Sequence, residues 1–175
     1  LRNRASIVLW CGNNENHWGL ATWWNEETRC GTYLYNYLLP EVVARNCPDT
    51  PYWNSSPYGG ETPNAPEVGD QHYWVQAMMS PEMEKRITPE VYDLCDARFV
   101  SEYGYVGAPT KATVLDYLNG APFDRNGEVW QHHTNVFEKQ TVDAGIRKHY
   151  ADPDTLSPDE YLLYSGLVQG LMYAY

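Results

Sequence analysis

The chain has 175 residues, with 23 acidic side chains against 12 basic ones and a formal net charge of -11. Phosphate affinity rests on clustered Lys and Arg that release counterions, and no such cluster occurs, so nucleic acid is excluded as a partner. Hydrophobic residues make up 43% of the chain, enough for a buried core, yet no run approaches the roughly 18 to 20 apolar residues of a membrane span, which excludes membrane insertion.

The elements follow in chain order. Ser6-Ile-Val-Leu-Trp-Cys11 is a short apolar run ending at Gly12, the pattern of a strand buried on both faces of a parallel sheet. Residues 27 to 45 read as helix, with Tyr33, Leu34, Tyr37, Leu38, Val42 and Val43 at helical spacing and Pro40 kinking or restarting it. Pro51 to Ser56 is extended, and residues 57 to 69 are too rich in Pro, Gly and Asn to hold a helix. Gln71-His-Tyr-Trp-Val75 predicts a third strand, residues 81 to 94 a turn with short helix, and Arg98-Phe-Val-Ser-Glu102 a fourth strand stopped by Gly104. Helices are expected over 110 to 119 and 138 to 149, with a turn over 120 to 128. A last helix starts at Ser157-Pro158-Asp159-Glu160, where a cap, a proline and two acids suit the dipole. That helix is expected to bury Leu162, Leu163, Gly166, Leu167, Gly170 and Leu171.

Strands alternating with crossovers at about 30 residues per step predict an α/β fold with a parallel sheet. An eight-fold (β/α)8 barrel is the natural closure, and since it typically needs ~250 residues, this chain can hold only part of a TIM barrel. The chain starts at Leu1 and ends at Tyr175 inside a helix, which reads as a piece of a longer polypeptide.

The aromatic set is 15 Tyr, 7 Trp and only 3 Phe, rings that mostly carry a polar handle. This suits either a carbohydrate site or an ordinary core with wet edges. Cys11, Cys30, Cys47 and Cys95 show no C-x-x-C pair, so they are read as reduced, buried thiols of a soluble, cytoplasmic protein. No glycine-rich phosphate loop follows a strand and His132-His133 lacks a third ligand, so neither cofactor nor metal is expected.

Two carboxylates stand out by position. Glu15 lies just past the end of the first strand and Glu102 at the end of the fourth, the side of a barrel that carries the active site. Glycosidic hydrolysis uses such a pair, one carboxyl delivering a proton to the leaving oxygen and the other attacking or activating water. Each Glu taken singly also fits a solvated loop charge.

At these residues a resemblance enters. Leu9-Trp-Cys-Gly-Asn-Asn-Glu-Asn16 resembles the acid/base motif of glycoside hydrolase family two, in its β-mannosidase branch, and Ala97-Arg-Phe-Val-Ser-Glu-Tyr-Gly104 is similar to the family's nucleophile motif. Pro51-Tyr-Trp-Asn-Ser-Ser-Pro-Tyr-Gly59 and Gly69-Asp-Gln-His-Tyr-Trp74 look like β-mannosidase segments in the same order. The resemblance is strong from 1 to about 110 and loose beyond. It implies one partial catalytic barrel domain over residues 1–175, about strands four to seven, truncated at both ends relative to the family.

It further implies a retaining exo-β-glycosidase, a β-mannosidase acting on terminal β-mannosides of oligosaccharides, with Glu15 as general acid/base and Glu102 as nucleophile. Asn14 would hold the sugar's 2-hydroxyl, or else be a turn residue. His72 and Trp74, alternating on the third strand, would line the sugar pocket, with a satisfied core imidazole as the other reading of His72. Of Trp18, Trp23 and Trp24 in the loop expected after Glu15, the sugar-packing ring is expected to be Trp24, then Trp23. The remainder of the parent polypeptide is an expected partner. Two other readings stay open: a β-galactosidase or β-glucuronidase relative, and a carbohydrate-binding or interaction fragment without turnover.

Overall fold

The computed structural model describes residues 3–25, 31–134 and 136–175. The chain forms two compact units, the first Leu1–Tyr73 with Asp96–Tyr103 and the second Trp74–Cys95 with Gly104–Tyr175. It mixes helices with short parallel strands.

In the first unit, β1 (Trp10–Cys11) pairs in parallel with β2 (Tyr52–Trp53), Trp10 opposite Tyr52 and Cys11 opposite Trp53. A lone parallel bridge from Asn14 to Ser56 continues the pairing beyond both strands. The expected strand over Ser6–Cys11 is thus mostly not strand, and it is not buried on both faces: Val8 is exposed and Trp10 only half-buried. Its hydrogen-bonded neighbour among the described residues is β2 alone, so one flank of the apolar run has no sheet to cover it.

α1 (Asn16–Thr22) follows at once, where a longer irregular segment was expected. The predicted helix over 27 to 45 begins outside the described residues. Within them it is π-helical over Leu34–Leu38 and regular over α2 (Leu39–Asn46). Pro40 has no N–H to give to the carbonyl of Asn36, and its ring crowds that carbonyl; the helix widens there and resumes with Pro40 in the first turn of α2.

β3 (Gln71–His72) pairs in parallel with β4 (Val100–Glu102). Gln71 faces Val100 but His72 faces Glu102, so Ser101 is an extra residue on β4. This bulge brings Glu102, rather than Ser101, level with His72. β3 ends two residues earlier than Trp74, which instead accepts hydrogen bonds on its carbonyl from Ala77 and Met79 in a turn of the second unit. The alternation that paired Trp74 with His72 therefore has no strand to carry it.

The second unit is helical: α3 (Met83–Arg86), a 3-10 turn over Pro89–Leu94, α4 (Lys111–Leu118), α5 (Glu128–His132), α6 (Val136–His149), a 3-10 turn over Pro153–Thr155 and α7 (Pro158–Tyr173). α5 falls partly where only a turn was expected. The Thr110 side chain caps α4, and Ser157 and Glu160 form a reciprocal capping box on α7. The apolar core consists of Ile87, Tyr105, Val114, Leu118, Trp130, Val142, Ile146, Tyr161, Val168 and Met172.

The buried stripe of α7 is Tyr161, Ser165, Val168 and Met172, not the expected leucines; Leu163 and Leu167 are exposed. Polar anchors choose that face. Ser165 Oγ accepts from the Ala108 N–H at 2.7 Å, the Tyr161 hydroxyl donates to Asp143 at 2.9 Å, and Val168 packs on the bare Cα of Gly145.

Among the described residues Cys11, Cys47 and Cys95 form no disulfide, but Cys11 is exposed and the other two only half-buried; Cys30 lies outside the described residues. No helix among the described residues is long and apolar enough to cross a membrane.

Ile146 is 0% exposed at the centre of the core. Ile146→Ala is expected to cost about 2–5 kcal/mol by transfer and cavity terms, measured by urea denaturation; a loss below about 1 kcal/mol would contradict the packing described.

Candidate active site

The buried side chains of the first unit are mainly polar: Ser55, Asp70, Gln71 and His72. Polar groups out of water need partners, and each of these has one.

Glu15 sits between the Asn14–Ser56 bridge and α1, in the left-handed region at φ 61°. Its N–H donates to Ser56 O at 2.6 Å and its carbonyl accepts from Gly19 N–H at 2.7 Å, so both neighbouring elements hold it. A non-glycine residue in this conformation costs of order 1–3 kcal/mol and persists only where its surroundings enforce it. Asn13 supplies much of that enforcement. Its amide donates to Asn54 O at 2.7 Å, and its Oδ1 accepts from Ser55 Oγ and from the N–H of Asn16 at the start of α1.

His72 is fully buried and joins the two carboxylates. Its Nδ1 lies 2.9 Å from Glu15 Oε1 and 3.2 Å from Glu102 Oε2, while the two Glu side chains keep 28% and 35% exposure. Donor atoms of Glu15, His72 and Glu102 all fall within 4.8 Å of one another, the one such grouping found among the described residues. One imidazole nitrogen and two carboxylate oxygens would suit a divalent cation, but Nδ1 is already directed at both carboxylates, and hydrogen bonding accounts for the set.

The loop between β2 and β3 frames the imidazole. Asn64, at φ 77°, accepts from His72 N–H at 2.6 Å and donates to His72 O at 3.2 Å, pairing with β3 as a neighbouring strand would. Asp70 closes the same loop, accepting from Tyr58 N–H at 2.6 Å and donating its own N–H to Tyr58 O at 3.2 Å. A Cβ on Gly69, at φ 79°, would run into the Tyr58 carbonyl, so that closure needs glycine. Ser56 Oγ contacts both Asp70 and His72 Nε2, the latter at 2.9 Å.

The other sequence candidates divide. Asn14 is exposed, with no hydrogen bond of its amide seen among the described residues. Of the three tryptophans that follow Glu15, Trp18 is the one seen against the cluster, edge-on to His72 at 6.3 Å and to Trp23 at 5.0 Å. Trp24, expected first, packs on Gly19 and lines a small hollow with Asn13, His17 and Tyr35; Trp23 is half exposed. Trp74 lies in the second unit. His133 stacks on Tyr117 at 4.2 Å, with His132 edge-on to it. Although the Cys11 residue is exposed, partial desolvation of its thiol pushes it up from its ordinary range, offset in part by the hydrogen bond to the Asn13 carbonyl, and the Asp70 carboxylate adds to the rise.

Sequence reasoning missed Ser56, Asn64 and Ser101. Their signal was present only as turn-forming residues in a Pro-rich loop and as one serine before Glu102.

No family model matches the chain. Among solved structures, β-D-mannosidase from Dictyoglomus thermophilum aligns with 99% of this chain and 21% of its own at a TM-score of 0.72 and 35% identity. This chain is β-mannosidase-like. The β-mannosidase resemblance seen in the sequence is borne out as well by β-mannosidase B of Neosartorya fischeri, 36% identical over 132 residues, 67% of this chain and 15% of that protein. The Aspergillus niger β-mannosidase B is 34% identical over 128 residues, 65% of this chain and 15% of that one. The β-mannosidase-like chain thus spans about 15% of the length of these curated relatives.

Asn64 also yields a stability test in the first unit. Asn64→Gly keeps the left-handed backbone but loses both hydrogen bonds to β3 and is expected to cost about 1–3 kcal/mol. Asn64→Ala should cost about 1–2 kcal/mol more, the price of a left-handed alanine. Equal stabilities of the two variants in denaturant melts would contradict the conformation assigned.

Proposed function

We propose that the polypeptide carrying this segment is a retaining exo-β-glycosidase, a β-mannosidase that removes terminal β-mannose by double displacement. The observation that carries the reading is the Glu15–His72–Glu102 cluster, with carboxylate oxygens of the two Glu within 4.8 Å. Retaining pairs stand about 5–5.5 Å apart, whereas an inverting pair needs roughly 6.5–9.5 Å to admit a water.

In this reading Glu102 attacks the anomeric carbon as the bond to the leaving oxygen breaks, and Glu15 gives that oxygen its proton. The product is a glycosyl ester on Glu102 and an ionised Glu15. Water then enters, passes a proton to Glu15 and attacks the same carbon, expelling Glu102. Asn14, exposed beside Glu15, is free to hold the 2-hydroxyl, and Trp18 supports the pocket wall ahead of Trp24 and Trp23.

The parallel pairings, and the gathering of Glu15, Ser56, His72 and Glu102 near the C-terminal ends of four strands, support strands four to seven of a (β/α)8 barrel. Residues 1–175 would then belong to one catalytic domain that the remainder of the parent polypeptide completes. The β-mannosidase relatives favour mannose over galactose or glucuronic acid.

In the full-length polypeptide, Glu15→Gln and Glu102→Gln are each expected to lower kcat on aryl β-mannosides by about 10²–10⁴-fold. Azide should restore turnover to Glu15→Ala with an activated leaving group and give a product of retained configuration. Rescue with retention at Glu102 instead would reverse the roles, and binding of mannose without any hydrolysis would favour the non-catalytic reading.

A further inference from the structure

With Asp70 as a carboxylate, the hydrogen bonds behind His72 favour one distribution of protons, although Ser56 Oγ also lies 3.2 Å from Ser101 Oγ and Ser101 Oγ 3.5 Å from Gln71 O. Asp70 is 2% exposed, and its carboxylate can only accept. Its Oδ1 takes the Tyr58 N–H, and its Oδ2 takes the hydroxyls of both Ser56 and Ser101. A serine hydroxyl has a single proton. With that proton committed to Asp70, Ser56 Oγ has only lone pairs to offer His72 Nε2, 2.9 Å away. Nε2 must therefore be the donor in that contact.

On the far side of the ring, Nδ1 faces carboxylate oxygens of Glu15 and Glu102 at 2.9 and 3.2 Å. A bare lone pair there could accept from a protonated Glu15 but would face the charge of an ionised Glu102, whereas a proton on Nδ1 meets both carboxyls, so Nδ1 is assigned as a donor as well.

We propose that Asp70, acting through Ser56, holds His72 with a proton on both ring nitrogens, so that a buried cation stands between the two site carboxylates. Asp70 and Ser56 are positioning residues that act through His72 and touch no substrate. The benefit to the reaction rests on the double-displacement reading. There a single negative charge moves from Glu102 in the free enzyme to Glu15 in the glycosyl-enzyme, and a shared Nδ1–H partners it in both states with little rearrangement. Among the described residues, the groups facing the imidazole include Glu15 and Trp18, from the stretch that enters and forms α1, Ser56 beyond β2, and Glu102 on β4.

Replacing Asp70 by asparagine redirects the protons in a defined way. The Tyr58 N–H requires an acceptor, so the new carbonyl oxygen takes the Oδ1 place and the NH₂ group faces the serines. Ser56 then accepts from the amide and turns its own proton toward Nε2, which becomes an acceptor. Ser56→Ala removes the acceptor for the Nε2 proton altogether. Ser101→Ala leaves the Ser56–Asp70 contact in place.

The test is side-chain nitrogen NMR at pH 7 on the full chain labelled with ¹⁵N-histidine. Both His72 nitrogens are expected to bear protons in the wild type and in Ser101→Ala, and Nε2 to lose its proton in Asp70→Asn and Ser56→Ala. Either of the last two variants suffices if the other does not fold. An unprotonated Nε2 in the wild type, or a protonated one in a folded Asp70→Asn or Ser56→Ala chain, would overturn the proposal. So would an unchanged kcat for Asp70→Asn in the full-length polypeptide, where a loss of about a hundredfold is expected. The spectra need no turnover: if the wild type shows both protons but hydrolyses no glycoside, the proton arrangement stands and the glycosidase reading falls.

Discussion

Two carboxylates whose oxygens lie within 4.8 Å would, if both were ionised, repel by about 3.5 kcal/mol at an effective dielectric of about 20, and the double-displacement reading keeps one of them protonated. The imidazole of His72 makes that spacing tenable, because its Nδ1 reaches both. Much of the first unit follows from the need to keep this ring buried and correctly turned. Asn64 grips its backbone, Ser56 meets its other nitrogen, Asp70 gathers the serines, and the extra residue on β4 brings Glu102 level with it. The interior of this unit is accordingly polar, while the apolar core belongs to the helical second unit.

The strain at Glu15 belongs to the same scheme. A left-handed turn there lets α1 start at the very next residue, which carries Trp18 back to the edge of His72. The cost of the turn is met by hydrogen bonds from Ser56, Asn13 and Gly19 on either side of it.

Much of the site was legible in the sequence because its residues sit in compact motifs. Glu15 and Glu102 were placed at strand ends and His72 on the third strand, and the structure brings all three together. What could not be read depended on irregularity. Periodicity assumes an even pleat and so overran the strands, missed the bulge at Ser101 and placed Trp74 on β3. It gave no hint that α1 begins directly after Glu15, which is why Trp24 outranked Trp18. On α7 the leucines and glycines formed the more obvious stripe. The buried face was instead selected by Ser165 and Tyr161, whose polar atoms answer groups on other segments. Ser56 and Asn64 looked like loop punctuation, and their roles exist only once Asp70 and Gly69 close the loop onto β3.

The central claim is that Glu102 is the nucleophile of a pair completed by Glu15 and held by His72. Its most direct test is to treat the full-length polypeptide with a 2-deoxy-2-fluoro-β-mannosyl fluoride, whose glycosyl-enzyme forms faster than it hydrolyses, and to map the labelled peptide by mass spectrometry. The account predicts one sugar per active site, esterified to Glu102 and absent from Glu102→Gln. A label on Glu15 or on any other residue, or none while the natural substrate is turned over, would contradict it.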